Sequence, residues 1–424
     1  MKAVILAGGK GTRLGKKCQN IPKSMVKIGP FSVLEHQINF LRRNKIKEII
    51  ILTSHLSHII EKRFKKEKDI LCIKEEKALG TAGAIKNIEN KLKEDFLVLY
   101  GDVMLDINIK RFVLFHKKKK SDCVLFLHPN NHPDDSDLVE IGSDNKIIGW
   151  FSKPRVKNRY FRNFTNGCFY IMSPKILKHI KKGAFLDFGK DVFPEVFQKI
   201  KMHGYVSAEY IKDMGTPERL KQVIKDYKTG KIKRFNIKNK RKAIFLDRDG
   251  TINKDLKNLS RVEDFELYPF SAKSVKKIND SEFLAIVVTN QPVVAKGFCS
   301  IEDLEEIHKK METLLGREGA KLDAIYYCPH HPEKGHKGEN KKYKIECNCR
   351  KSKTGMILKA KKDFNIDLKN SYIIGDSERD ILCGKRAGLK TIRVKTGEGI
   401  KKSNIKPDYS FDNLGKAVDY FLPG

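Results

Sequence analysis

No apolar run in the chain approaches the roughly 18 residues a membrane-spanning helix needs. The first residues, Met1-Lys2-Ala3-Val4-Ile5-Leu6, run into a glycine loop with no Ala-x-Ala-like cleavage site. Membrane insertion and export by a cleaved leader are therefore not expected; the expected location is the cytoplasm. Collagen-like, coiled-coil and long disordered classes are excluded by 40% hydrophobic and 33% charged residues without a repeat. A disulfide framework is equally unexpected. The nine cysteines are odd in number and scattered, except that Cys328, Cys347 and Cys349 gather near histidines, which points to reduced thiols and one metal site. Acid is scarce, with 52 Asp and Glu against 86 Lys and Arg, a net charge of +34. Runs such as Lys117-Lys118-Lys119-Lys120 read first as solvated faces, with attraction of phosphorylated molecules or nucleic acid as the alternative. Aromatic residues do not interleave with these runs as a base-stacking platform requires, so no specific nucleic-acid partner is expected.

What is present is organised twice over. A chain of 424 residues suggests two or three domains at about 150 residues each. Ala3-Val4-Ile5-Leu6 leads into Ala7-Gly8-Gly9-Lys10-Gly11-Thr12-Arg13, and Ala243-Ile244-Phe245-Leu246 leads into Asp247-Arg248-Asp249-Gly250-Thr251. Each pair reads as the first strand of a fresh α/β unit. The basic stretch from Lys228 to Lys242 has almost no apolar periodicity and reads as a linker, placing domains at 1–234 and 235–424. Apolar runs at 49–52, 96–100 and 123–127, then at 284–288 and 371–374, alternate with helical spacing such as Leu34, Ile38 and Leu41. That predicts two Rossmann-like α/β domains in tandem, with mainly parallel sheets and ligands at the carboxyl ends of the strands.

The first loop matches neither G-x-G-x-x-G nor the Walker pattern, yet its chemistry suits phosphate. Glycines let backbone N–H groups approach an anion, and Arg13 offers a planar fork to phosphoryl oxygens. With Ile21-Pro22-Lys23, Leu79-Gly80-Thr81-Ala82-Gly83-Ala84, Gly101-Asp102, Asn166-Gly167 and Asp213-Met214-Gly215-Thr216-Pro217, it resembles the sugar-1-phosphate nucleotidyltransferase family over residues 1 to 225. The resemblance implies that a sugar 1-phosphate attacks the α-phosphorus of a nucleoside triphosphate. It implies that Leu6, Gly8, Gly9, Gly11 and Thr12 cradle the nucleotide, that Arg13 and Lys23 bind phosphates, and that Leu79, Gly80, Thr81 and Gly83 line base and ribose. Asp102 and Asp213 would hold Mg²⁺, and Lys153, Asn166, Gly167 and Lys190 would meet the sugar phosphate. Glu75 is either an acceptor for the N1–H and N2–H of guanine or a solvated surface glutamate; GTP is the expected nucleotide. The family's Glu-Lys-Pro stands here as Ser152-Lys153-Pro154, which leaves the sugar open.

In the second half Asp247 and Asp249 lie two residues apart after a strand, where one can act as nucleophile and the other as general acid. With Thr289-Asn290-Gln291, Lys351 and Gly375-Asp376-Ser377-Glu378-Arg379-Asp380 they resemble the haloacid dehalogenase phosphatase superfamily over residues 241 to 424. That implies an aspartyl phosphate on Asp247, proton transfer by Asp249, and phosphoryl contacts from Thr289 and Lys351. Mg²⁺ would sit on Asp247, Asp376 and the Asp249 carbonyl, with Asp380 orienting Lys351. Cys328, His330, Cys347 and Cys349 form C-x-H-x16-C-x-C, a donor set for structural Zn²⁺, with His331 or His336 as substitutes for His330. The cysteine loop followed by Arg350-Lys351 resembles heptose 1,7-bisphosphate phosphatases, which implies that Asn290 and Arg350 face substrate. Gln291-Pro292-Val293-Val294-Ala295-Lys296-Gly297 and Ser260-Arg261-Val262 depart from that subgroup's usual segments. The expected function is a bifunctional enzyme making a GDP-heptose for surface polysaccharide from a phosphorylated sugar and GTP. The rivals are a transferase for another sugar phosphate, such as mannose 1-phosphate, joined to a histidinol-phosphate-type phosphatase, and an inactive polyanion binder. Oligomeric state stays open, a homo-oligomer included.

Overall fold

The structure is a computed structural model that describes residues 1–153, 159–333, 335, 337–400 and 404–423; Pro154 and His336 lie outside the described residues. The chain forms two compact units. The first comprises residues 1–128, 136–153 and 164–236; the second comprises 129–135, 154–163 and 237–424. A single cut near residue 235 thus misses two short excursions, because residues 129–135 and 159–163 pack on the helix Ile301–Arg317 of the second unit.

In the first unit a nine-stranded sheet has the parallel core Phe96–Tyr100, Ala3–Leu6, Ile49–Thr53 and Ile70–Lys74, in that spatial order. These strands alternate strictly between two cores: Val4, Ile50 and Val98 face one, while Ala3, Ile5, Leu97 and Leu99 face the other. Burying such a side chain contributes about 1.5–3 kcal/mol, so a slip of one residue would be prohibitive. The helix Val33–Arg43 covers one face through Leu34, Ile38 and Leu41, the spacing read from sequence. Its start is fixed by Ser32 and Glu35, each accepting the other's backbone N–H, at 2.7 and 3.2 Å. The expectation of a mainly parallel sheet holds for this core, and Met202–Val206 also runs parallel to Cys123–Pro129, but one side of the sheet departs from it. Phe164–Met172 runs antiparallel to Phe96–Tyr100 and carries Leu138–Ile141 and Ile147–Phe151 beyond it, also antiparallel.

The second unit has six strands, all parallel, in the order Ala324–Cys328, Phe283–Asn290, Lys242–Leu246, Tyr372–Gly375, Lys390–Val394 and Tyr409–Phe411. In each unit the chain winds outward from its first strand, then crosses back to that strand's other side. The loops after Ala3–Leu6 and Phe96–Tyr100, and those after Lys242–Leu246 and Tyr372–Gly375, therefore diverge around a crevice. Both sets of sequence-predicted residues sit there. Among the described residues no helix is long and apolar enough to cross a membrane.

Candidate active sites

At the first crevice the glycine loop packs against the segment that carries Cys18 and Lys23. A Cβ on Gly11, whose φ is +67°, would lie 3.2 Å from Lys23 Cβ. The Lys23 ammonium pairs with the Asp102 carboxylate. Asp102 and Asp213 are brought together by a short antiparallel ladder in which Asp213 stands opposite Val103, with Met214 N–H donating to the Asp102 carbonyl at 3.0 Å. Burial raises the Asp213 carboxyl, but two bonds from Arg219 at 2.8 and 3.0 Å, the Gly215 N–H at 3.1 Å and the charge of Lys23 outweigh it and hold the group below its ordinary value. Arg13 reaches the same place, its Nη2 being 3.4 Å from where a Gly215 Cβ would stand. Arg13, Lys23, Asp102 and Asp213, far apart in sequence, thus converge.

On the base side the expected residues also make contacts within the protein. Gly83 is dictated by packing, since a Cβ there would come within 2.3 Å of the Ala184 carbonyl. The Thr81 hydroxyl donates to Asp187 at 2.8 Å and accepts the Phe188 N–H at 2.9 Å, pinning the helix Gly80–Asn87 to that segment. Glu75 is half-buried, and its Oε2 lies 3.2 Å from where a Gly8 Cβ would stand. Its Oε1 is buried without a hydrogen-bond partner among the described residues. Burial raises this carboxyl, only partly offset by the Leu79 N–H. Asn166 accepts the Cys168 N–H at 3.0 Å and donates to the Tyr170 hydroxyl at 2.9 Å. Cys168, Tyr100, Tyr170 and Asp187 were not legible as site residues; burial, followed by Asp102 and Asp213, holds the Cys168 thiol well above its ordinary value. Lys153 and Lys190 are exposed.

At the second crevice Lys351 is 3% exposed, and its ammonium lies 2.8 Å from Asp247, 2.6 Å from Asp380 and 2.8 Å from the Val288 carbonyl. Its backbone is held by Asn290, which accepts its N–H and donates to its carbonyl, both at 2.9 Å. Asp380 also accepts the Ser377 hydroxyl at 2.6 Å as part of a capping box, so it orients Lys351 from a fixed helix end. One ammonium does not balance the acids. Asp247, Asp376 and Asp380 offer oxygens all within 4.8 Å of one another. Burial and then Asp380 push Asp247 up to about 7, and burial and then Asp247 push Asp376 up to about 8. A buried cluster short of positive charge is the donor set of a hard divalent cation. Gly250 is required beside it, with φ +76° and a would-be Cβ 2.2 Å from Asp376 Oδ2.

The Asp249 side chain points elsewhere. Arg248, fully buried, grips it at 3.0 and 3.1 Å, Gln291 donates at 2.7 Å and Asn253 at 2.8 Å. These bonds outweigh burial and hold Asp249 below the ordinary carboxylate value. Its side chain is not part of the acidic cluster, which leaves its carbonyl for a metal. Thr289 accepts from the same Gln291 at 2.9 Å. Cys328, His330, Cys347 and Cys349 meet with ligand atoms within 4.8 Å, and Cys349 is pushed down to about 5, first by the Cys328 thiol. Three thiols and an imidazole at that spacing match tetrahedral zinc. His331, the alternative, is outside the cluster. Arg350 donates to the His330 carbonyl at 3.2 Å, tying the tetrad to the loop that carries Lys351.

Residues 2–230 match the family model described as Nucleotidyl transferase, and residues 348–417 one described as HAD-hydrolase-like. The chain is similar to the D-glycero-beta-D-manno-heptose-1,7-bisphosphate 7-phosphatase of Haemophilus ducreyi, 39% identical over 183 residues, covering 42% of this chain and 98% of that protein. The enzyme of the same description from Pasteurella multocida is 41% identical over 167 residues, covering 39% and 88%. Among solved structures, HddC from Yersinia pseudotuberculosis complexed with GMP-PN is 26% identical with a TM-score of 0.47, covering 53% of this chain and 99% of that one.

Proposed function

The chain belongs to the nucleotidyl transferase family and, through its second unit, to the heptose-1,7-bisphosphate 7-phosphatases, and from this fusion of two enzymes we propose consecutive reactions on one sugar. The second unit removes the 7-phosphate of a D-glycero-D-manno-heptose 1,7-bisphosphate, and the first joins a nucleotidyl group from GTP to the resulting heptose 1-phosphate, in the cytoplasm. The observation that carries this reading is the second crevice, where a buried lysine sets Asp247 beside Asp376 in a unit 39% identical to a dedicated heptose bisphosphate phosphatase.

In the phosphatase, an Asp247 oxygen attacks phosphorus and the bond to the sugar oxygen breaks. Asp249, having left Arg248 and taken up a proton, gives that proton to the departing alkoxide. It then takes one from the water that hydrolyses the aspartyl phosphate. Lys351 neutralises phosphoryl oxygen, and Arg350 meets the phosphate that remains. Asp247, Asp376 and the Asp249 carbonyl would hold Mg²⁺, which supplies charge neutralisation when bound. In the transferase, a sugar-phosphate oxygen attacks the α-phosphorus and pyrophosphate leaves. Arg13 and Lys23 bind the triphosphate, and Asp102 and Asp213 would hold Mg²⁺. Cys328, His330, Cys347 and Cys349 would hold Zn²⁺ as a structural clamp. For the base, Glu75, whose Oε2 lies beside Gly8 and whose Oε1 is buried without a partner among the described residues, supports guanine, whose N1–H and N2–H both donate.

Incubating the pure protein with the bisphosphate, GTP and Mg²⁺ tests the reading. Equal phosphate and pyrophosphate, with a GDP-heptose by mass spectrometry, are expected. Pyrophosphate from mannose 1-phosphate but not from heptose 1-phosphate would overturn the sugar assignment. Glu75→Gln lowers kcat/KM for GTP about tenfold or more, the worth of a hydrogen bond to a charged group, and leaves ATP unaffected. Equal losses for both nucleotides would overturn the base assignment.

A further inference from the structure

Beyond the strand Lys390–Val394 the chain makes a turn, Thr396-Gly397-Glu398-Gly399, that the phosphatase chemistry does not use directly. Ile392 and Val394 anchor the strand in the core, and the Gly399 N–H closes the turn on the Thr396 carbonyl at 2.8 Å. The closure is tight, since a Cβ on Gly399 would lie 1.9 Å from the Val394 carbonyl. This turn touches both loops that carry the acids of the second crevice. The Thr396 hydroxyl donates to the Gly250 carbonyl, on the loop after Lys242–Leu246. The Glu398 N–H donates to Asp376 Oδ2 at 2.6 Å, on the loop after Tyr372–Gly375.

Two glycines in the left-handed region make this approach possible. Gly397 has φ +52° and Gly250 has φ +76°, and a Cβ on either would come within 2.2 Å of Asp376 Oδ2. A Cβ on Gly397 would also lie 2.7 Å from Gly250 Cα. Asp376 Oδ2 is thus enclosed by two backbones and bonded by a third peptide unit, while Oδ1 has no hydrogen-bond partner among the described residues. Gly250 is held from its other side as well, its N–H donating to the Asn253 carbonyl at 2.8 Å. In a trans peptide the carbonyl points opposite the N–H, so that bond turns the Asp249 carbonyl away from Asn253. Asn253 and Thr396 therefore fix the peptide units before and after Gly250.

We propose that Thr396 is a positioning residue of the phosphatase metal site: its hydroxyl locks the Gly250 turn against Asp376, which sets the Asp249 carbonyl and the unbonded Asp376 oxygen for one divalent cation. The inference rests on the phosphatase reading of the second crevice. Thr396 touches neither the substrate nor the cation; it acts through Gly250, and the turn it begins acts on Asp376 through the Glu398 N–H.

The test compares the full-length parent with Thr396→Val, which keeps the shape of the side chain and loses the hydroxyl, and with Thr396→Ser, which restores it. Mg²⁺ binding is measured by titration calorimetry without nucleotide, and phosphate release from the bisphosphate is measured against Mg²⁺ on the same preparations. Nucleotide is left out because in the first unit Lys23 already neutralises Asp102 and Arg219 already neutralises Asp213, so a cation gains little there until a triphosphate arrives. Thr396→Val is expected to bind Mg²⁺ about tenfold or more weakly, as for other groups that orient metal ligands, and to need correspondingly more Mg²⁺ for phosphate release. Thr396→Ser is expected to bind like the parent, and nucleotidyl transfer from supplied heptose 1-phosphate to be unchanged in both variants. Parental Mg²⁺ affinity in Thr396→Val, or an equal loss in Thr396→Ser, overturns the proposal. If Thr396→Val does not fold, Thr396→Ala decides in the same way. A parent that binds Mg²⁺ but releases no phosphate would instead defeat the phosphatase reading itself.

Discussion

Replacing Asp247 with asparagine removes the proposed nucleophile, and the structure adds a less obvious outcome for stability. Three buried carboxyls share one ammonium, and Asp247 is pushed from 3.8 up to about 7, first by burial and then by Asp380. That displacement is worth about 4 kcal/mol against the charged form. The sign follows from linkage. Between pH 4 and 7 the folded protein holds a proton that the unfolded chain has released, so metal-free stability falls as pH rises through that window and levels off above it. Asparagine carries no charge and escapes this fall. In EDTA at pH 8.5, Asp247→Asn is therefore more stable than the parent in its second unit, by up to about 4 kcal/mol, and the advantage shrinks as the buffer is taken toward pH 5. Mg²⁺ reverses the order, because the cation binds the folded parent more tightly. The assay is helped by composition: the chain has one tryptophan, Trp150, in the first unit. Its fluorescence follows that unit alone while far-UV circular dichroism follows both. Phosphate release disappears, and transfer from supplied heptose 1-phosphate continues. An asparagine variant less stable than the parent at pH 8.5 in EDTA would refute the reasoning.

Other outcomes come from the same geometry. Stripping the Cys328, His330, Cys347 and Cys349 tetrad with a zinc chelator lowers phosphate release and spares nucleotidyl transfer, since Cys349 stands two residues before Lys351; equal loss of both activities would contradict it. Lys23→Met lowers nucleotidyl transfer by about 100-fold or more, as for a lost charge-stabilising donor, with phosphate release unchanged. Because burial raises Glu75, protonation removes its acceptor as pH falls, and KM for GTP rises on the acid side more steeply in the parent than in Glu75→Gln. Gly83→Ala drives a methyl toward a carbonyl 2.3 Å away and destabilises the first unit by about 1–3 kcal/mol, read as an earlier Trp150 transition.

Local chemistry was legible in the sequence to the extent that it is local. The strands before Gly8 and Asp247, the capped helix from Val33 and the cysteine tetrad follow from apolar runs and short spacings. Convergence of Arg13, Lys23, Asp102 and Asp213 depended on resemblance, because nothing in the residues between them states which loops meet. The antiparallel edge of the first sheet escaped because Phe164–Met172 opens on Phe-Thr-Asn-Gly, which reads as a loop motif rather than as a strand, and a local pattern carries no mark of strand direction. Arg248 had no role in the sequence reading; that it grips Asp249 while bonding Gln291, 43 residues on, follows only from the fold. Thr81 and Gly83 were assigned to ligand by resemblance; their hydrogen bonding and close packing against residues 184–188 could not be read from the sequence.

The excursions have a genetic corollary. A gene severed between codons 236 and 237 would encode one product still carrying residues 129–135 and 159–163 and a second product deprived of them. Helix Ile301–Arg317 would then present Glu312 and Thr313 to solvent without their partners. Two separate polypeptides made by such a cut would need compensating substitutions along that helix, beginning at Glu312 and Thr313.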